Sequence, residues 1–302
     1  MTRRSSEPRQ ASVGVSTVRT AAPPAAAGTR APAPARRRRT PSRALLGLRR
    51  EIPRPLFSLA GVVVPALLLA AWWYASANGL VRPLFLPSPT AVLVTGYEQL
   101  LSGTLLGDAS VSIYRIVVGW LAATLLAVPT GVLMGNFRLI EGALEPLIST
   151  ARYMPVVALI PLSILWAGIG DGQKILILFL GTFFQQVLMV MDDVKSVDMN
   201  LVRAGQTLGF SGAEILRRIV LPASLPRIWD TLRITIGWTW TYLVVAELVA
   251  SNSGLGYAIL RAQRYMHTDK IFAGILLIGL IGLLTDQAFR WLGRRAFHWQ
   301  KR

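Results

Sequence analysis

The chain has 302 residues, of which 53% are hydrophobic and 16% charged, with a formal net charge of +17 and a mean hydropathy of +0.48. Soluble domains carry about 25% charged residues, so this composition favours a membrane protein over a soluble enzyme. No cysteine and only two histidines are present, so disulfides, thiolate nucleophiles and Cys-ligated metals are excluded and a His-ligated metal is disfavoured. We expect no catalytic residues and no metal site.

The positive charge is concentrated near the N-terminus. Residues 1–50 contain 12 Arg and a single acid, Glu7, which gives +11 of the total of +17. The segment is rich in Ala, Pro, Ser and Arg and lacks the apolar residues of a core, so we predict a disordered cytosolic tail over 1–42 and an interfacial basic segment over 43–56. The run Arg36–Arg39 fits a flank that attracts anionic membrane lipid better than it fits a twin-arginine signal or a site for nucleic acid.

Six apolar runs follow that are long enough to cross a hydrocarbon core of about 30 Å. They are residues 57–75, 111–134, 147–167, 174–191, 228–250 and 271–289. These runs predict an all-α polytopic membrane protein with a transmembrane domain over 57–296 and a basic C-terminal tail over 297–302. Pro155 and Pro161 interrupt the third run, where each removes a backbone donor, so we expect a kinked or broken span that lines a cavity.

Basic residues are unevenly distributed between the connecting segments. The segments 135–146, 192–227 and both chain ends carry most of them, whereas the other connections carry Arg82, Arg261, Arg264 and Lys270. Basic residues accumulate on the cytosolic side of membrane proteins, so both termini are predicted to be cytosolic.

The segment 192–227 is amphipathic and is interrupted by glycines and prolines. We predict two short helices, over 199–208 and 212–220, joined at Gly209, where a residue without a Cβ allows a sharp turn. Leu221-Pro222 is expected to stop the second helix. A helical pair that is too short to fold alone needs a partner surface, so the segment is interpreted as a docking element, with an interfacial hairpin as the alternative.

The same segment follows a known spacing, E-A-A-x3-G-x9-I-x-L-P. The matching or substituted positions are Arg203, Ala204, Gly205, Gly209, Ile219, Leu221 and Pro222. With the further motifs Trp166–Gly170, Ala246–Ala250 and Ser253–Tyr257, the chain resembles, from about 57 to 296, the permease subunits of bacterial ABC importers, in their nitrate, sulfonate and taurine branch. Arg203 stands where the family often has Glu, and Gly205 where it has the second Ala.

The resemblance implies a multi-pass bacterial inner-membrane permease that works as a homodimer with two copies of a separate ABC ATPase and an extracytoplasmic solute-binding protein. It also implies a small anionic solute such as nitrate, an alkanesulfonate or taurine. ATP would be bound by the ATPase, since this chain has no G-x-x-x-x-G-K-[ST] segment. We therefore expect no cofactor and no enzymatic activity in this chain.

Residues of the translocation path are harder to predict from sequence. Ionisable groups inside a membrane are candidate functional groups, and span five has an aromatic face. The candidates for the path or a gate are Arg152, Pro155, Pro161, Trp238, Tyr242 and Glu247. The alternatives are that Arg152 extends to the inner interface, that Glu247 caps the following loop, and that the aromatic pair serves helix packing.

Two other classes of membrane protein are alternatives to an ABC permease on the sequence alone. An ion-coupled secondary transporter would be expected to show inverted repeats and several central charges, whereas no internal repeat and few central charges are evident. A membrane enzyme would need a cluster of His, Asp or Glu at the membrane face, and the two histidines are far apart in the sequence.

Overall fold

The computed structural model describes residues 54–299, which contain helices and no strand. The α-helices are α1 (Arg54–Ala77), α2 (Pro89–Leu101), α3 (Thr104–Asn136), α4 (Arg138–Ala151), α5 (Ile160–Ala167), α6 (Asp171–Lys195), α7 (Met199–Thr207), α8 (Gly212–Ile215), α9 (Leu221–Ala250), α10 (Leu255–Arg264) and α11 (Thr268–Ala296). A 3₁₀ turn, Val156–Leu159, precedes α5, and a π turn, Leu216–Val220, joins α8 to α9. The predictions for residues 1–53 and 300–302 lie outside the described residues.

Three described helices, α3, α6 and α11, are long and apolar enough to cross a membrane. The pair formed by 138–151 and 156–167 makes a fourth if it is one broken span, because its two halves are bent by 82°. Helix α9 has 30 residues and is rich in Thr, Trp and Tyr in its middle. It is not among the helices that are apolar enough to cross a membrane by this criterion. The all-α membrane architecture is thus confirmed, whereas the count of six spans stays a prediction.

Helices α3 and α6 pack closely along most of their length, and glycines on α3 make this possible. A Cβ at Gly119 would lie 2.7 Å from the Cβ of Leu178, and one at Gly131 would lie 2.7 Å from the backbone oxygen of Val187. Small residues let helix backbones approach in this way, which increases van der Waals contact where lipid provides no hydrophobic drive. Both helices belong to the unit that extends from Val62 onward.

The break in the third apolar run lies between α4 and the 3₁₀ turn, at residues 152–155. Pro155 precedes the turn with extended dihedral angles (φ −66°, ψ 109°), and Pro161 occupies the first turn of α5. The predicted interruption is therefore present. Pro155 marks the break, while Pro161 starts a helix, where a missing backbone donor costs no hydrogen bond.

The predicted stop at Leu221-Pro222 is wrong. Leu221 has helical angles (φ −58°, ψ −54°) and its N–H donates to the carbonyl of Leu216, which closes the π turn. Pro222 then falls in the first turn of α9, where proline is tolerated. The second short helix of the 192–227 segment therefore continues into α9 without leaving the helical conformation.

Candidate functional site

Within the docking element predicted over 192–227, residues 199–220 form two short helical arms that meet at a sharp turn. Asp198 caps α7, since its carboxylate accepts the N–H of Asn200 at 2.8 Å. Gly209 follows with φ +77°, a left-handed conformation that L-residues with a Cβ adopt at a cost. Ser211 and Glu214 then form a capping box, and hydrogen bonds from the Ser211 backbone and hydroxyl hold the pKa of Glu214 below its usual value.

Gly205 and Ile219 hold the two arms of this element together. Gly205 is buried, and a Cβ there would lie 2.5 Å from Cδ1 of Ile219. Glycine in place of the family's second alanine therefore lets the isoleucine approach α7 closely. The other motif positions have different surroundings: Arg203, Ala204, Gly209 and Pro222 are exposed, and Leu221 is half-buried.

The docking element exposes apolar side chains beside basic ones. Met199, Leu201 and Leu208 are 57%, 49% and 72% exposed, and Arg217 and Arg218 are exposed as well. The inner side of the element packs instead into a core that includes Ile215 and Val220. Apolar exposure on a polar-rimmed helical pair is typical of a surface that binds another protein.

A second feature is a cleft of about 640 Å³ between the break in the third run and the middles of α6 and α9. We call it the central cleft. Its walls include Arg152, Pro155, Gln185, Trp238, Thr241 and Tyr242. Four of the six residues predicted for the path are thus brought together, although α4, α6 and α9 are far apart in sequence.

The other two predicted path residues lie elsewhere. Pro161 is exposed in the first turn of α5, and Glu247 is fully buried nearer the end of α9. Glu247 accepts the backbone N–H of Gly256 at 2.8 Å and the hydroxyl of Ser112 at 2.9 Å. Its geometry is that of a cap on the α9–α10 loop, which was the alternative interpretation.

Glu247 also meets a cation that the sequence analysis missed. Arg115 of α3 lies 2.7 Å from Glu247 and 2.6 Å from Asp171 at the start of α6. Its guanidinium donates further to the carbonyl of Ser253 at 2.9 Å. One buried cation therefore connects α3, α6, α9 and the α9–α10 loop.

Lys174 forms a similar but smaller arrangement. Its side chain is 2% exposed, and its ammonium donates to the carbonyls of Ile169 at 2.6 Å and Gly170 at 3.3 Å. The glycine-rich turn 168–172 is thus closed onto the start of α6 by a lysine. Both residues lie in predicted spans, Arg115 in 111–134 and Lys174 at the start of 174–191, so the rule that marks ionisable groups inside a membrane could have found them.

Residues 54–299 contain no arrangement of side chains that suggests a metal site. No group of three or more His, Cys, Asp or Glu side chains lies close enough there to hold a metal ion. The charged groups just described are instead paired with each other and with backbone atoms.

Residues 127–298 match the model of a protein family described as binding-protein-dependent transport system inner membrane component. The chain is 38% identical over 239 residues to the taurine transport system permease protein TauC of Escherichia coli (strain K12), covering 78% of this chain and 87% of the relative. It is 36% identical over 242 residues to an aliphatic sulfonates transport permease protein, SsuC, of Bacillus subtilis (strain 168), covering 80% and 88%.

The fold is also similar to a solved structure. A chain of the MetNI methionine ABC transporter in an inward-facing conformation aligns with a TM-score of 0.58 at 20% identity. The alignment covers 65% of the present chain and 98% of the other. At this identity the likeness concerns the fold alone.

Proposed function

We propose that this chain forms half of the membrane path for a small organic sulfonate. It belongs to the family of binding-protein-dependent transport system inner membrane components, and the proposal starts from that membership. It is the permease subunit of an ABC importer, not itself an enzyme, and ATP is bound by a separate subunit. An extracytoplasmic binding protein and an ATPase are its partners.

The shape and the exposed apolar side chains of the docking element support its role in coupling the permease to the ATPase. Two ATPase copies bind the exposed apolar face of α7 and the turn at Gly209, one on each copy of the permease. The π turn continues the element into α9, so that movement of the ATPases is passed to a helix that borders the central cleft. The residues in this role are Arg203, Ala204, Gly205, Gly209, Ile219, Leu221 and Pro222.

The membrane arrangement that we propose has six spans and cytosolic termini. The three long apolar helices and the bent pair supply four. Helices α1 and α9, with 24 and 30 residues, are long enough to supply the other two. A second copy of the chain completes the path.

The substrate class follows from the relatives and from the cleft. The two relatives reported above are described as permeases for taurine and for aliphatic sulfonates. The central cleft combines a basic side chain, Arg152, with the aromatic rings of Trp238 and Tyr242. Such a lining suits a solute with an anionic head and a short organic chain.

Reconstitution tests this function. The permease is co-purified with the ATPase encoded beside its gene, placed in liposomes with the neighbouring binding protein, and assayed for ATP-dependent uptake of labelled taurine and butanesulfonate. Accumulation of either sulfonate that requires both partners is expected. A permease that folds but retains no ATPase would overturn the coupling role, and an assembled complex that takes up neither solute would overturn the substrate class.

A further inference from the structure

The central cleft lies about half-way along the spans that border it. Helix α6 runs from Asp171 to Lys195, so residue 183 is its midpoint, and the cleft touches Leu180, Gly181, Phe184 and Gln185 around that point. A helix of this length measures about 37 Å, which puts the midpoint roughly 18 Å from either end. A charged group in the cleft is therefore deep in the membrane.

Arg152 is such a group, and it has no acidic partner among the residues that the structure describes. Its guanidinium donates to the Tyr153 hydroxyl at 3.0 Å and lies 4.9 Å from the centre of that ring. Within residues 54–299, no carboxylate lies within ion-pair distance of it, whereas Arg115 and Arg233 each contact two. An exposed arginine at this depth requires water or an anion, because a charge in hydrocarbon is costly.

The surroundings of Arg152 fit an anion that carries a short organic group. The planar guanidinium presents parallel donors that match two oxygens of a tetrahedral or planar oxyanion. Gln185 and Thr241 add hydrogen-bonding groups to the same walls, and Trp238 and Tyr242 add apolar surface. Trp238 is 42% exposed, so its ring is available to a solute.

We infer that Arg152 is the anion-binding residue of the central cleft and contacts the sulfonate group of the solute as it passes through the membrane. This inference rests on the proposed function and adds a residue that selects for charge. The alternative, in which the side chain extends to the inner interface, would require the guanidinium to reach about 18 Å from the middle of α6, which the same cleft touches.

The absence of cysteine from the chain allows a direct test. Thr241→Cys places one thiol in the cleft wall, and Leu80→Cys, where the native residue is 67% exposed outside the helices, places one at a position that does not line the cleft. Each is treated with two methanethiosulfonate reagents, one bearing an ethylsulfonate and one an ethyltrimethylammonium group. The probe is thus itself a small sulfonate, and reaction rates are compared in the assembled complex.

With Arg152 present, the sulfonate reagent is expected to react faster than the cationic reagent at position 241. The ratio of the two reaction rates at position 241, divided by the same ratio at position 80, should be about ten. Arg152→Gln should abolish this preference and Arg152→Lys should keep most of it. The preference at position 80 should be the same in all three backgrounds. A preference at 241 that survives Arg152→Gln overturns the inference, as does failure of both reagents to reach 241 when 80 is labelled.

Uptake assays separate this inference from the proposed function. Arg152→Gln is expected to lower uptake of labelled taurine at least about tenfold while the complex with the ATPase is retained. If wild type transports sulfonates and the variant does so equally well, the inference alone is wrong. If wild type transports none although position 241 shows the Arg152-dependent preference, the substrate class is wrong and the anion site stands.

Discussion

Arg115 and Glu247 form an ion pair inside the helix bundle, with their charged atoms 2.7 Å apart and their side chains 3% and 0% exposed. The two residues are 132 positions apart in the chain. Each also holds the α9–α10 loop, Glu247 through the N–H of Gly256 and Arg115 through the carbonyl of Ser253. The pair therefore fixes the end of α9 against α3.

Removing one member of this pair should destabilise the protein strongly. Arg115→Met leaves Glu247 buried without its cation, and the free energy of unfolding should fall by about 3–5 kcal/mol. Thermal unfolding of the detergent-solubilised protein measures this. The double variant Arg115→Met, Glu247→Gln should recover part of the loss, since no unpaired charge stays buried. Arg218→Met, at an exposed position, should melt like wild type. Equal melting temperatures for all three variants would contradict the conclusion that Arg115 and Glu247 form a buried ion pair.

The turn at Gly209 offers a matched comparison for the docking element. A Cβ at Gly209 or at Gly212 meets no atom within 4 Å, but only Gly209 has a positive φ, +77°. Gly209→Ala should therefore strain the turn by about 1–2 kcal/mol and weaken ATPase binding, whereas Gly212→Ala should not. Co-purification of the ATPase with each variant measures the difference. Equal recovery of the ATPase would show that the turn geometry is not needed for docking.

A second glycine pair tests the packing of α3 on α6. A Cβ at Gly131 would lie 2.7 Å from the backbone oxygen of Val187, which has no room to move, whereas one at Gly107 meets nothing within 4 Å. Gly131→Ala should cost about 1–3 kcal/mol of stability because the helices must separate. Gly107→Ala should instead stabilise α3 by up to about 1 kcal/mol through helix propensity. The melting temperature in detergent should be lower for Gly131→Ala than for Gly107→Ala. If it is not, the close approach of α3 to α6 at Gly131 is contradicted.

The wall of the central cleft can be altered without changing its charge. The ring of Tyr242 packs on Gly181, where a Cβ would lie 2.8 Å from it. Gly181→Ala should displace the ring, which lines the cleft, and slow uptake of labelled sulfonate several-fold, with ATPase assembly retained. Gly237→Ala, on α9 but in open space, is the control and should transport like wild type. Normal uptake by Gly181→Ala would mean that Tyr242 does not border the path.

Much of the fold could be predicted from the sequence, because the membrane imposes simple rules on length and composition. Each apolar run lies within a described helix or, for 147–167, within the bent pair. The break near Pro155 and the turn at Gly209 followed from the missing donor and the missing Cβ of those residues. Local chemistry determines such features, so a single sequence reveals them.

The buried ion pairs could not be predicted in the same way. Arg115 is one charge in an apolar run, and its partners Asp171 and Glu247 lie in other helices. Their pairing depends on how helices pack, which periodicity does not determine. The stop expected at Pro222 failed for a different, local reason: the π turn before it shifts the hydrogen-bond register, so that the proline enters a helix at its start.

The chain stays helical from α8 through the π turn into α9, so a movement at the α8 end would be passed to α9. Helix α9 has 30 residues and is about 45 Å long, so a tilt of about 5° at its base moves its far end by about 4 Å. That displacement exceeds the 2.7 Å between Arg115 and Glu247. A tilt of this size would therefore separate Glu247 from Arg115 unless α3 moved together with α9.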